Sequence, residues 1–233
     1  METRTVFQSL LVQRISIWYH GFVNSSLNFQ AERAAFRKLK QSVEGDPELK
    51  HELETAFREL LTRFATTIYE NRFVVGGAIE VILLAALRAS GIVAHDVGAE
   101  ETRIDIRIPN GGFSVKGHFS NSGDVRLINV LGDSEQTAWK EATLFVLYGI
   151  GIGYADPKLL EDQNAIRRTK DAIVIRYSVL RGFFSQNSEW LIQCEIPQAL
   201  QNRHQSELVS RTVAREILAK TPKLFNALPQ TSF

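Results

Sequence analysis

The sequence predicts a mixed α/β protein with a helical N-terminal region, and three patterns support this prediction. Apolar residues recur at helical spacing through residues 1–72 of the 233-residue chain. Alternating apolar and polar residues, which are typical of half-buried strands, follow from about residue 92. From residue 73 onward the predicted order is a helix, four strands, a helix, two strands and a last helix. Such an order favours one mixed core behind the N-terminal helices.

Three helices are predicted in the N-terminal region. The first is indicated by apolar residues at helical spacing, Phe7, Leu10, Leu11 and Ile15. The second covers about 29–43. The third begins at Pro47, because proline has no backbone N–H that would need a partner in the first turn of a helix. This third helix carries apolar residues at three- or four-residue intervals: Leu53, Phe57, Leu60, Leu61 and Phe64.

The remaining elements follow from apolar runs and turn residues. In chain order they are a buried helix at about 74–90, strands at 92–97, 103–108, 113–118 and 124–131, a helix at 134–148, strands at 172–180 and 188–196, and a helix at 206–220. Pro222 and Pro229 break the tail. The glycines of 149–153 follow a predicted helix, so we interpret them as a helix terminator rather than a phosphate-binding loop.

Bulk composition excludes several classes of protein. Hydrophobic residues make up 44% and charged residues 23% of the chain, as in ordinary globular proteins. The net charge of +1 gives no overall attraction to a polyanion, so any nucleic-acid surface must be local. A single cysteine, Cys194, excludes an internal disulfide framework and a thiolate zinc site. We expect a cytoplasmic protein without a membrane span, because the longest apolar run contains Glu80 and is shorter than the roughly 20 residues needed.

A predicted hairpin contains the most informative pattern of the chain. Two short runs of alternating apolar and polar residues flank turn residues at 109–112, where glycines can take positive φ. The hairpin places Asp105 and Lys116 on one face of a sheet. Each residue alone is also explained by a solvated surface charge. Together, a carboxylate and an ammonium group can hold a divalent metal ion beside a phosphate, which makes a nuclease the leading hypothesis.

Glu80 is the second candidate residue. It is the only ionisable side chain between Arg72 and Arg88, in a helix that is apolar on nearly every side. A carboxylate in such a place is costly unless it is paired, solvated in a cleft or bound to a metal ion. An ion pair with Arg103 or Arg107 is the plain alternative for this residue alone.

The order of helix acid, strand acid and strand lysine resembles the core of the PD-(D/E)xK nuclease superfamily, which includes many type II restriction endonucleases. In that family a helix, often with a Glu, precedes a three-stranded meander. An Asp lies on its second strand and an (Asp/Glu)-x-Lys triplet on its third. Glu80, Asp105 and Lys116 stand at the matching positions, and the resemblance covers about 73–180.

The resemblance implies a restriction-endonuclease-like mixed sheet flanked by helices. It also suggests a division of the chain. Residues 1–72 would be a helical region for dimerisation, DNA contact or partner contact. Residues 73–200 would form the nuclease-like α/β core, and 201–233 a C-terminal helix and tail.

Two positions depart from the family pattern. Ser114 stands where the family usually has its second acid, and Ile104 stands where it has proline. Some restriction endonucleases with Ser-x-Lys take the missing carboxylate from the following helix. The candidates here are Glu80 first, Glu141 second and Glu135 third. An inactive site is the remaining alternative.

The chemistry implied by the resemblance is Mg²⁺-dependent hydrolysis of phosphodiester bonds. Asp105 and Glu80, or Glu141 in its place, would hold Mg²⁺, a cation that prefers oxygen ligands. Lys116 would orient or help to deprotonate the attacking water and offset charge on the phosphorus. Ser114 would add a hydroxyl contact.

A basic segment late in the chain is a candidate DNA-binding surface. Its residues can contact phosphates and guanine edges, against a single acid, Asp171. They are Arg167, Arg168, Lys170, Arg176 and Arg181. His118, on the same strand face as Lys116, and Asn121, in a loop, are further candidates. An ordinary edge strand with solvated charges and a plain turn are the alternatives.

The sequence therefore predicts a metal-dependent endodeoxyribonuclease that cuts double-stranded DNA, most simply a sequence-specific type II restriction endonuclease acting as a homodimer. One alternative is a nuclease subunit of a larger defence or repair complex, docked through the N-terminal helices. Another is a catalytically silent member of the fold that binds nucleic acid.

Overall fold

The computed structural model describes most of the chain and confirms the predicted α/β class. The ranges described are 28–64, 69–97, 103–129, 138–160, 165–199 and 210–228. The helix predicted from Phe7 to Ile15 lies outside them. No helix within these ranges combines the length and the apolar character needed to cross a membrane.

Helices within the described ranges number six. They are α1 (Gln30–Gly45), α2 (Pro47–Arg63), α3 (Tyr69–Ala89), α4 (Tyr177–Gln186), α5 (Ser210–Leu218) and α6 (Pro222–Ala227). The start predicted at Pro47 is confirmed, and Asp46 caps α2 by accepting hydrogen bonds from the N–H groups of Glu48 and Leu49. Pro222 begins α6 rather than breaking the tail, because proline suits the first turn of a helix.

The main sheet contains six strands within the part of the chain that the structure describes. They are β1 (His95–Asp96), β2 (Ile106–Ile108), β3 (Gly111–His118), β5 (Thr143–Leu147), β6 (Gly151–Ala155) and β9 (Leu191–Ile192), in the order β1-β2-β3-β5-β6-β9. Neighbours are antiparallel except β3 and β5, which run parallel. The predicted hairpin is confirmed as β2–β3, although its positive φ falls at Asn110 (62°) and not at a glycine.

A second, three-stranded sheet consists of β4 (Asp124–Asn129), β7 (Ile166–Arg168) and β8 (Ala172–Arg176), in the antiparallel order β4-β8-β7. The strand predicted at 124–131 is confirmed over 124–129. It leaves the main sheet after a turn in which Gly123 has a φ of 101°. The carbonyl of Gly123 accepts a hydrogen bond from the N–H of Tyr177 (2.9 Å), which joins this turn to the end of β8.

The helix predicted at 134–148 is wrong over its described part. Residues 143–147 form β5, the strand between β3 and β6, and all five of their side chains are buried. A short run that is apolar on both faces has no periodicity that separates a buried strand from a buried helix. The glycines at 149–153 form the β5–β6 turn and enter β6, with positive φ at Gly149 and Gly151, so they are not a helix terminator.

Other boundaries near the C-terminus differ as well. The strand predicted at 172–180 ends at Arg176, where α4 begins, and the strand predicted at 188–196 shortens to a 3₁₀ turn (Ser188–Trp190) and β9. The strands β6 and β7 are additional to the predicted set. The helix predicted at 206–220 is confirmed as α5 over its described residues.

Cys194 follows β9 and is buried. Burial, together with the nearby carboxylate of Glu54, raises the pKa of its thiol to about 12. A thiol with such a pKa carries almost no thiolate at neutral pH, so Cys194 is not suited to act as a nucleophile.

A buried ion pair attaches α1 to the main sheet. Arg33 donates from Nε and Nη2 to the two carboxylate oxygens of Asp156, at 2.8 and 2.9 Å. Asp156 directly follows β6, is fully buried, and also accepts from the hydroxyl of Tyr154 and the N–H groups of Lys158 and Leu159. Burial alone would raise the pKa of Asp156, but the hydrogen bonds from Arg33 and Tyr154 hold it below its ordinary value.

Glu32, next to Arg33, attaches the same helix to the β2–β3 hairpin. Its carboxylate accepts a hydrogen bond from the N–H of Gly112 (3.2 Å) and is buried. A Cβ atom at Gly111 would collide with this carboxylate. Gly111 is therefore needed because α1 approaches the hairpin closely, and not for its φ.

One continuous hydrophobic core joins α1, α2 and α3 to the main sheet. Phe36 of α1 packs against Tyr154 of β6, with ring centroids 5.4 Å apart. The boundary predicted at residue 72 falls inside α3. The described N-terminal helices therefore help to hold the sheet that carries the candidate residues.

Replacing Asp156 by Asn should destabilise the fold by about 3 kcal/mol, because Arg33 would keep a charge without its buried partner. Asp171→Asn, which removes an exposed carboxylate paired with Arg126, should leave the stability nearly unchanged. Urea unfolding at neutral pH measures both. Equal losses for the two variants would contradict the importance of the buried pair.

The same pair predicts a pH dependence. Because the pKa of Asp156 is lowered in the folded state, its stabilisation is complete above the ordinary value of 3.8 and is lost as pH falls through the lowered pKa. Asp156→Asn should therefore show a shallower loss of stability in acid than the parent protein, measured by urea unfolding at a series of pH values.

Gly151→Ala should lower the melting temperature strongly. Gly151 has a φ of 128°, and a Cβ atom there would collide with the carbonyl oxygen of Ile192 in β9. The cost should exceed about 2 kcal/mol. Gly182→Ala in α4 is the matched control, since a Cβ atom there meets nothing within 4 Å, and it should be neutral or stabilising. Thermal melts followed by circular dichroism compare the two variants, and equal melting temperatures would contradict the collision.

Candidate functional site

The helix α3 positions Glu80 over one end of the main sheet. Residues 81–87 on its C-terminal side are all buried, which fixes the helix against the core. Glu80 itself is half-buried and lines a small cavity, and Gly77 one turn earlier lines it too.

The β2–β3 hairpin brings Asp105 and Lys116 together as predicted. The N–H of Asp105 donates to the carbonyl of Phe113 (2.8 Å), so this residue extends the strand pairing of β2. Its Oδ2 lies 3.9 Å from Nζ of Lys116. The two side chains are 28% and 26% exposed, so the pair is reachable from solvent without being fully hydrated.

Two further donors hold the Asp105 carboxylate. Oδ2 accepts a short hydrogen bond from the N–H of Val115 (2.6 Å) and a weaker one from the hydroxyl of Ser114 (3.2 Å). Ser114 is buried, and its own N–H donates to the carbonyl of Ala142 at the start of β5 (2.8 Å). Ser114 therefore orients the carboxylate of Asp105 from the position where the resembled family carries an acid.

Acidic residues stand out among those that line the cavity within the described ranges. They are Glu80 on α3, Asp96 on β1 and Asp105 before β2, and the cavity volume is about 50 Å³. Its other walls are Gly77, Val81, Leu84 and Ile106. Carboxylate oxygens are ligands that hard cations prefer, so the cavity is a candidate place for such an ion.

Asp96 is absent from the sequence prediction. It pairs with Ile106 in the antiparallel register of β1 and β2, one position from Asp105. The sequence places Asp96 near the end of the strand predicted at 92–97. Its position beside Asp105 follows only from the pairing register of β1 and β2, and a two-residue strand does not reveal that register.

The donor set of the cavity is at most a partial one for Mg²⁺. Across the described residues no group of three or more His, Cys, Asp or Glu side chains is placed so that it could hold a metal ion. Carboxylate oxygens are the ligands that Mg²⁺ prefers, and proteins commonly supply only one or two of them and leave the other positions to water and substrate phosphate. One or two of the acids that line the cavity, Glu80, Asp96 and Asp105, are therefore the candidates to hold such an ion.

Glu141 lies elsewhere than predicted. It belongs to the irregular segment before β5, and its carboxylate accepts a hydrogen bond from the N–H of Lys140 (3.1 Å). The predicted placement assumed a helix that the described residues of this segment do not form. Glu135, the third-ranked carboxylate, lies outside the described residues. Of the two carboxylates that the structure describes, Glu80 lines the cavity and Glu141 does not.

The predicted DNA-binding residues fall in different places. Arg167 and Arg168 on β7, Lys170 in the β7–β8 turn and Arg176 at the end of β8 are all exposed on the three-stranded sheet. Arg181 is on α4 instead, where it lines a separate groove of about 660 Å³. That groove also contains Lys50, Glu54 and Glu195, so it has no excess of positive charge.

His118 supports a turn. Its Nε2 lies 2.9 Å from the carbonyl of Ser122 and 3.0 Å from the hydroxyl of Ser120, and its ring packs on Tyr177 at 5.3 Å between centroids. Burial lowers the pKa of His118, although the bond to Ser122 acts in the opposite direction. Asn121 is exposed at the tip of the same turn. These contacts indicate that His118 stabilises the turn after β3.

No family model, no curated protein and no solved structure matches this chain.

Replacing Glu80 by Gln should weaken the binding of Mg²⁺ or Mn²⁺ by at least about tenfold, because a charged ligand of the cavity is lost. Glu141→Gln removes the same charge outside the cavity and should leave the affinity unchanged. Isothermal titration of the free protein with Mn²⁺ measures both. If Glu141→Gln weakened metal binding and Glu80→Gln did not, the second metal-binding carboxylate would be that of Glu141.

Proposed function

We propose that this protein is a metal-dependent endonuclease that hydrolyses phosphodiester bonds of double-stranded DNA. The observation that carries the proposal is the convergence of Glu80, Asp96 and Asp105 on one cavity, with Lys116 at 3.9 Å from Asp105. Carboxylates and a lysine from separate elements meet at the edge of a mixed sheet. This combination suits a phosphate-bound metal ion and a nearby water.

The order of elements also supports the proposal. A helix precedes the meander β1-β2-β3, as the resemblance to the PD-(D/E)xK superfamily implies, and β5 then pairs parallel to β3. The connection from β3 to β5 differs from the family pattern. Its strand β4 belongs to the second sheet. Residues 138–142, in the described part of this connection, are irregular. The resemblance is one reason for the proposal, and no similar protein adds to it.

Each residue has a task in the proposed reaction. One or two of Glu80, Asp96 and Asp105 would hold Mg²⁺, which would polarise the scissile phosphate and lower the pKa of a bound water. Ser114 and the N–H of Val115 fix the carboxylate of Asp105, as their hydrogen bonds show. Lys116 would orient the attacking water and offset negative charge that develops on the phosphate.

A catalytically silent DNA-binding protein is the second candidate. It is favoured by Ser114, which occupies the usual acid position, is buried and donates to Asp105 instead of offering a carboxylate. Cleavage at specific sequences as a homodimer, and service as a subunit of a defence or repair complex, are finer forms of the first proposal.

The experiment compares wild type with Asp105→Asn and Lys116→Ala on mixed DNA in Mg²⁺, with products separated by gel electrophoresis. We expect cleavage by wild type and a loss of at least about 100-fold in rate for each variant, because each removes charge that acts in the transition state. Discrete fragments would indicate sequence-specific cutting, and a smear would indicate unspecific cutting.

Lys158→Ala is the matched control, since it removes an exposed lysine outside the cavity, and it should cut as wild type does. Activity retained by Lys116→Ala would contradict the role of the pair. Inert wild type that still binds DNA would favour the silent alternative.

A further inference from the structure

The three-stranded sheet brings together arginines that are far apart in the chain. In its register Arg126 of β4 and Arg167 of β7 both pair with Val174 of the central strand β8. Directly paired residues of antiparallel strands point to the same face. Arg176, two positions after Val174, shares that face because strand side chains alternate. We name this surface, formed by Arg126, Arg167 and Arg176, the arginine face.

The arginine face is exposed and positively charged. Side chains of Arg126 and Arg167 are 55% and 50% exposed. Val174 between them is buried, consistent with arginine stems that lie across it. The sheet as a whole carries five basic residues against Asp124 and Asp171, and the arginine face itself carries three of the five. A chain with a net charge of only +1 thus concentrates positive charge here.

The two acids hold the arginines in place. Nη2 of Arg167 donates to both carboxylate oxygens of Asp124, at 2.7 and 2.6 Å. Nη2 of Arg126 donates to Asp171 at 2.9 Å, and the hydroxyl of Thr169 donates to the same carboxylate at 3.1 Å. An oriented guanidinium loses less conformational entropy when it binds a phosphate or a guanine edge.

The shape of this sheet suits one partner. Thr169 closes the β7–β8 turn through its N–H and hydroxyl, which both bond to Ala172, so the hairpin is compact. Neighbouring strands lie about 4.8 Å apart, so the arginines of β4 and β7, on either side of β8, are separated by about 10 Å. The major groove of B-form DNA is roughly 12 Å wide, whereas the major groove of A-form RNA is too narrow for side chains to read.

We propose that the arginine face binds double-stranded DNA and that its guanidinium groups contact the phosphates and base edges of the major groove. The choice of DNA rests on the proposed function, whereas binding itself requires no hydrolysis. Arg181 and His118 lie outside this surface, since one is on α4 and the other holds a turn.

The test measures binding of the full chain to a fluorescein-labelled DNA duplex by fluorescence anisotropy, in EDTA and over a range of salt concentrations. The variant Arg126→Ala/Arg167→Ala should bind at least about tenfold more weakly and reduce the salt slope by about two. Arg126→Lys/Arg167→Lys keeps the charges and should keep most of the slope.

The chain offers a matched control. Arg58 and Arg63 are also exposed, at 44% and 38%, and each forms one surface ion pair, with Glu195 and Glu216. Arg58→Ala/Arg63→Ala should bind as wild type does. Thermal melts verify that both double variants remain folded.

Three outcomes would overturn the inference: equal weakening by the control, wild type that does not bind duplex DNA, or equal affinity for duplex RNA. Failure of cleavage is a separate result. Wild type that binds through the arginine face but does not cut would refute the nuclease and leave this inference intact. If the arginine variant still cuts DNA and binds it with unchanged affinity, this inference is refuted and the nuclease proposal is left intact.

Discussion

The buried pair between Arg33 and Asp156 is the contact on which the arrangement of the rest depends. It fixes α1 to the end of β6, and the adjacent Glu32 fixes the same helix to the β2–β3 hairpin. The strand β5 lies between these two attachments in the sheet. The distance between Asp105 and Lys116 is set by that hairpin. The N-terminal helices are therefore part of the support of the candidate site. Trp190 reinforces the attachment, because the guanidinium of Arg37 lies 4.8 Å from its ring centroid.

Local sequence signals predict a good part of this fold. The helix α2 has a capping residue, a proline in its first turn and a regular apolar face, and all three features act within a few residues. The β2–β3 hairpin is similarly local. By contrast β5 is buried on both sides, so its identity as a strand depends on partners that are distant in the chain. Its mistaken assignment as a helix also displaced Glu141.

The same distinction applies to the candidate residues. Asp105 and Lys116 meet through one tight turn, and Glu80 is conspicuous because it is a lone charge in an apolar helix. Asp96 reaches the cavity through the register of a two-residue strand, which leaves almost no pattern in the sequence. Arg126 joins Arg167 only through the long-range pairing of β4 with β8. Residues that converge through such pairing can be found only once the topology is known.

The single cysteine gives this protein a built-in reporter of partial unfolding. Cys194 follows the edge strand β9, and its thiol is both buried and held in the protonated form. An alkylating reagent can therefore modify it only after the segment behind β9 separates from the sheet. The rate of modification under native conditions measures how often this edge opens. Since β9 contacts α1 through the bond from Lys40 to the carbonyl of Leu191 (2.6 Å), the same rate also reports how firmly the N-terminal helix holds the sheet.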